Sequence, residues 1–183
     1  RLAHWRSSAT DLSHRRFFDV DDLVGVRVED PDVFALTHAL ILELVRDGVA
    51  QGLRVDHVDG LADPAGYLDR LAAATGGTWV VVEKILERDE GLPSGWLVDG
   101  TTGYEGGALI SDVLHDPSGA PALEGLFADV TGSCREWEEE VVEGKRDVLA
   151  RLFRPEHRRL SRLAAAALGE LLDRSELRAV GGL

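Results

Sequence analysis

Two Asp-Pro pairs constrain this chain more than any other feature. Asp30-Pro31 and Asp63-Pro64 each place an N-capping carboxylate before a residue suited to the first helical turn. After the first pair, Val33, Phe34, Leu40, Ile41, Leu44 and Val45 recur at helical spacing, and Gly48 can end the helix. Residues 50–55 then read as a short strand. After the second pair the helix runs through Tyr67, Leu68 and Leu71 to Gly76-Gly77, and TWVVV (78–82) follows as an unbroken, largely β-branched strand. A run without alternation suits a parallel strand covered on both faces. Helix–strand–helix–strand with short connections predicts an α/β parallel sheet. Ligands of such sheets, open or closed into a barrel, meet the carboxyl ends of the strands.

Both predicted strands end in charge. GLRVDHVDG (52–60) leads into Asp56, His57 and Asp59, and VVVEK (80–84) leads into Glu83 and Lys84. One β-α-β step separates Asp56 from Glu83, so two neighbouring strands aim a carboxylate at the same mouth. Paired carboxylates across a cleft are the apparatus of glycoside chemistry: one attacks the anomeric carbon, the other delivers a proton to the leaving oxygen. Arg54 lies two residues before Asp56, on the same face of the strand, where it would stabilise an ionised nucleophile. Lys84 should point to the opposite face from Glu83 unless the strand has already ended.

Other readings stay open. A carboxylate after a strand also serves as a turn former or helix cap; Asp59 suits a DG turn and Asp63 a cap. His57 suits a ligand contact or a neighbouring carbonyl. Asp56, His57, Asp59 and Glu83 are all plausible metal ligands, as in a metal-dependent barrel hydrolase, although their spacing matches no dedicated metal motif. A protein that only binds glucan is a further alternative. The long segment from Glu83 to about Tyr104, with GLPSGW and DGTTGY, offers Trp96 and Tyr104 either as sugar platforms or as cover for the rim of the core.

The remaining sequence narrows the class. With 183 residues and 44% apolar residues the chain can bury a sizeable core. A formal charge of -13 argues against nucleic acid as a partner. No apolar run approaches the roughly 18 residues of a membrane helix. The single cysteine, Cys134, excludes an internal disulfide and fits a reducing, cytoplasmic setting. Residues 1–29 read as irregular, with an aromatic and basic cluster HRRFF at 14–18. In the last third, Ser133 and Glu136 form a capping box for a charged helix over about 134–153. Pro155 interrupts, and a second helix carries Leu160, Leu163, Ala164, Ala167, Leu168 and Leu171 on one face. The expected division is 1–130 as α/β domain and 131–183 as a helical hairpin.

Taken together, HRRFFDVDDLVGVRVEDPDVF, GLRVDHVDGLADP, VVVEKILERDEGLPSGW and DGTTGYE resemble, in order, the trehalose-forming branch of the α-amylase family. The resemblance runs from RLAHWR to about residue 130 and more loosely through the helical tail. It implies that 1–130 is the central part of a (β/α)8 TIM barrel followed by a helical insertion. It matches Asp56 to the nucleophile, Glu83 to the general acid/base and Arg54 to the arginine supporting the nucleophile. His57, Asp59, Lys84, Trp96 and Tyr104 are the implied substrate contacts; no cofactor or metal is implied. The implied reaction converts the reducing-end α-1,4 bond of a maltooligosaccharide into an α,α-1,1 bond by intramolecular transglycosylation. Another hydrolase or glucanotransferase of the family is the alternative. A trehalose-releasing hydrolase is the implied functional partner. Val58 stands where this branch often has Pro, and Asp21 where it often has Asn. The family's first conserved region, and the fourth with its third carboxylate, have no match here, and the chain contains no Met. The expectation is therefore a central fragment, inactive alone, with exposed sheet edges prone to aggregation.

Overall fold

The computed structural model describes residues 4–8, 12–132 and 135–168. The chain divides into two compact units, one from Arg1–Gly25 with Leu123–Leu183 and one from Val26–Ala122.

The Val26–Ala122 unit is a mixed α/β structure. Its helix α1 (Pro31–Arg46) starts where the Asp30 carboxylate accepts from the N–H groups of Asp32 and Val33, at 3.0 and 3.3 Å. Gly48, at φ 70°, turns the chain out of the helix. Strand β3 (Gly52–Val55) follows, in chain order, the strands β1 (Arg16–Phe17) and β2 (Val20–Val24) of the other unit. Helix α2 (Pro64–Thr75) is capped by Asp63, which accepts from Gly66 N–H at 2.9 Å, and stops at Gly76 and Gly77, both at positive φ. Strand β4 (Trp79–Val82) pairs in parallel with β3, Gly52 opposite Trp79 through Val55 opposite Val82. A two-residue strand β5 (Gly100–Thr101) adds to β4, also in parallel, giving the order β3-β4-β5. The expected loop to Tyr104 is thus interrupted. Asp99 builds this junction by donating its N–H to the Val80 carbonyl and accepting the Val80 N–H on its carboxylate, both at 2.7 Å. Helix α3 (Tyr104–Leu114) completes the unit.

The core lies between the helices and one face of the sheet: Phe34, Val58, Tyr67, Leu68, Leu71, Val80 and Val82. Two expectations need correction. On α1 the buried residues are Phe34 and His38, while Leu40, Ile41 and Leu44 are exposed. An apolar stripe hides the contribution of a histidine, and His38 is buried because it is satisfied. Its Nδ1 lies 3.1 Å from the Phe34 carbonyl and 3.0 Å from the Thr37 hydroxyl, and its Nε2 shares a hydrogen bond of 2.9 Å with the Tyr67 hydroxyl. Phe34 stacks on the imidazole at 4.1 Å. Burial holds the His38 imidazole below its ordinary pKa. In β4 the expected burial of both faces fails. Val80 and Val82 are buried, but Trp79 is exposed and Val81 half-buried. Trp79 lies across Gly52, where an added Cβ would come within 2.8 Å of the indole.

In the other unit, residues expected to be irregular form an antiparallel hairpin, β1 (Arg16–Phe17) with β2 (Val20–Val24). The Arg16 side chain, 6% exposed, holds Asp21 and Glu156 at 2.6 and 2.7 Å and donates to the carbonyls of Asp19 and Leu152. Helix α4 (Ala120–Thr131) precedes two charged helices, α5 (Trp137–Arg151) and α6 (Arg154–Leu168). Helix α5 begins later than expected, with Glu136 as an N-cap that makes no side-chain capping bond; Ser133 and Leu171 lie outside the described residues. No helix among the described residues is long and apolar enough to cross a membrane.

Candidate active site

The alternation of the parallel strands builds the site. Leu53 and Val55 of β3 pack against the core, as do Val80 and Val82 of β4. Arg54 and Asp56 therefore share the opposite face with Trp79, Val81 and Glu83. The β3–β4 register continues past Val82, because Glu83 N–H donates to the Val55 carbonyl at 2.7 Å. Asp56 and Glu83 thus stand side by side at the carboxyl ends of adjacent strands.

One guanidinium joins them. Arg54 Nη1 lies 2.6 Å from Asp56 Oδ1, and its Nη2 lies 3.8 Å from Glu83 Oε1. Glu83 is the more enclosed, 23% exposed against 58% for Asp56. Its Oε2 accepts the backbone N–H of His57 at 2.9 Å, and Tyr104 O–H donates to Oε1 at 3.4 Å. An open carboxylate beside a cation and an enclosed one among hydrogen-bond donors are environments of the kind that separate two roles in acid–base chemistry.

His57 adopts a left-handed conformation, φ 50° and ψ 48°, unusual for a residue with a side chain. A short turn, Val58–Gly60, follows. An added Cβ at Gly60 would come within 2.3 Å of the His57 ring, which would have to shift. Asp59 sits in this turn, and its carboxylate meets Lys84 Nζ at 3.3 Å. Lys84 also holds Glu90 at 2.9 Å. Pairing with Glu90, and then with Asp59, raises the Lys84 pKa above its ordinary value.

The eight residues singled out by sequence thus separate into three groups. Arg54, Asp56, His57, Glu83 and Tyr104 converge at the mouth. Asp59 and Lys84 pair with each other beside it. Trp96 is half-buried and packs against the hydrophobic core, the cover role left open above. Among the described residues no three His, Cys, Asp or Glu side chains gather as a metal-binding group. The contact between Tyr104 and Glu83 was not foreseen. It depends on the left-handed Gly103 (φ 89°), which starts α3 immediately after β5. A TTGY sequence directly after a strand is the signal that could have found it.

No family model matches the chain. Over 170 residues, 92% of its length, the chain is 40% identical to a Mycobacterium tuberculosis (strain CDC 1551 / Oshkosh) protein bearing the name maltooligosyl trehalose synthase, and it spans 22% of that protein. Among solved structures, it is similar to the maltooligosyltrehalose synthase of Arthrobacter ramosus, with a TM-score of 0.85 and 45% identity over 94% of this chain and 22% of that one. It is also similar to a hypothetical maltooligosyl trehalose synthase of Sulfolobus tokodaii, with a TM-score of 0.73 and 34% identity over 82% of this chain and 20% of that one.

Proposed function

We infer that this chain is a segment of a maltooligosyl trehalose synthase and that it supplies two of the reacting carboxylates, Asp56 and Glu83. The parallel sheet is then part of a (β/α)8 barrel, with residues 1–130 as its central portion and 131–183 as an attached helical insertion. The observation that carries this reading is the Arg54 guanidinium shared by two carboxylates at adjacent strand ends.

In the proposed reaction Asp56 attacks the anomeric carbon of the second glucose from the reducing end. The bond to O4 of the terminal glucose breaks, and Glu83 gives that oxygen its proton. The freed glucose stays bound and turns. Its anomeric hydroxyl then attacks the glycosyl-enzyme, Glu83 takes the proton, and Asp56 is released. Two displacements at one carbon retain its configuration, and the product is an isomer of the substrate. Water must be excluded between the two steps. Arg54 steadies Asp56, and the His57 N–H and the Tyr104 hydroxyl steady Glu83. The single cysteine supports a cytoplasmic setting. A hydrolase that releases trehalose from the product is the expected functional partner.

The test is product analysis with maltopentaose and the full-length protein carrying this segment. Reducing ends should disappear while chain length is kept. A gain in reducing ends would instead identify a hydrolase, and redistribution of chain lengths a glucanotransferase.

A further inference from the structure

We infer that Lys84 is a positioning residue: clamped between Asp59 and Glu90, it fixes the placement of Glu83 instead of contacting sugar. This rests on the reading of Glu83 as the general acid/base.

The Lys84 side chain is only 11% exposed, although it follows directly on a residue facing the mouth. A lysine is costly to bury unless its charge is met. Here two carboxylates meet it, each from a different strand exit. Asp59 belongs to the turn after β3, and Glu90 to the segment after β4. Glu90 is itself held, because its carboxylate accepts the Glu87 N–H at 3.2 Å and its own N–H donates to the Glu87 carbonyl at 3.0 Å. The ammonium therefore ties the turn after β3 to the segment after β4, with Glu83 at the base of that tie.

The consequence reaches Glu83 through the backbone. The turn bearing Asp59 begins at His57, whose N–H donates to Glu83 Oε2 at 2.9 Å and whose left-handed conformation sends the chain into that turn. Without the tie, movement of the turn can drag the His57 N–H away from the carboxylate. The other groups facing Glu83 are the Arg54 guanidinium and the Tyr104 hydroxyl, with Asp56 beyond Arg54. No hydrogen bond or ion pair joins Arg54 or Tyr104 to Lys84, so their bonds to Glu83 remain when it is changed. A carboxylate that loses a hydrogen-bond donor holds its proton more tightly.

The experiment measures kcat and KM for maltopentaose against pH in the full-length protein, for the unaltered enzyme, Lys84→Met, Lys84→Arg and Asp59→Asn. Lys84→Met should lower kcat by about tenfold or more. It should change KM little and move the alkaline limb of kcat/KM, where the general acid loses its proton, up by about half a pH unit. Lys84→Arg, which can still span two carboxylates, should restore most of the activity and the original limb. Asp59→Asn should move the limb the same way by less, and it decides the matter if Lys84→Met does not fold. A raised KM with an unmoved limb would make Lys84 a sugar contact and overturn the proposal. Unmoved limbs in both Lys84→Met and Asp59→Asn would overturn it as well. If the unaltered protein yields no non-reducing product, the functional reading fails first, and that is seen before any variant is compared.

Discussion

Helices α1 and α2 differ from α3 and α4 in how they use similar apolar sequence. The first two bury Phe34, His38, Tyr67, Leu68 and Leu71. The other two bury no residue and leave Leu109, Ile110, Val113, Leu114, Leu123, Phe127 and Val130 exposed. The difference follows from chain order. Helix α2 connects two paired strands and packs back on both, and α1 lies beside it. The later helices have no strand after them among the described residues. The core and the carboxylate pair are thus both properties of the α-β-α-β segment between residues 31 and 83. Its two strands carry the core on one face and the carboxylates on the other.

The largest effect that can break this contrast is catalytic. In the full-length protein, Glu83→Gln should lower the rate of conversion by about 10²–10⁴-fold. Glu138→Gln, on the exposed face of α5, should leave it unchanged. Equal losses, measured by product formation, would show that the site is not confined to the strand ends. Next comes packing. Leu71→Ala, at a fully buried side chain, should cost about 2–5 kcal/mol in urea denaturation. Val113→Ala, at a residue 85% exposed, should stay within about 0.5 kcal/mol. A large cost at Val113 would show that α3 is covered after all.

A smaller effect should appear in the pH dependence of stability. Burial lowers the folded-state pKa of His38 below its unfolded value of about 6.5. Its contribution is therefore complete above that unfolded value and is lost as pH falls through the lower folded-state value. His38→Gln should flatten that part of the stability profile, measured by urea denaturation between pH 5 and 7.5, relative to the unaltered chain. An unchanged slope would mean the histidine is not the group titrating. The smallest effect is expected at Gly52→Ala, where the exposed Trp79 indole must shift, at about 1 kcal/mol.

How much of this was legible in the sequence follows the same division. Helices α1 and α2 announce themselves through Asp-Pro caps and glycine stops, because those signals act on the nearest backbone groups. Strands β3 and β4, with their terminal carboxylates, are legible for a related reason: short apolar runs bounded by turns leave few alternatives. The hairpin β1–β2 was missed because Val-Asp-Asp-Leu-Val shows neither alternation nor a tight-turn dipeptide; Arg16 and its distant partner Glu156 help hold it. Strand β5 is two residues long and depends on Asp99 reaching Val80, a contact with no periodicity of its own. His38 was passed over because a polar residue on an apolar face gains burial only from a partner, Tyr67, on the next helix. The pairing of Lys84 with Asp59 is invisible for the same reason, since each residue read alone suits a ligand.

The most direct measurement is covalent. Full-length protein carrying Glu83→Gln would be incubated with an α-glucosyl fluoride, whose leaving group needs no acid. The trapped enzyme would be digested and its peptides weighed and sequenced by mass spectrometry. A glucosyl ester on Asp56 is the expected result. An adduct on any other residue would contradict the assignment of Asp56 as nucleophile. Turnover to a product of inverted configuration without an adduct would contradict the retaining mechanism itself.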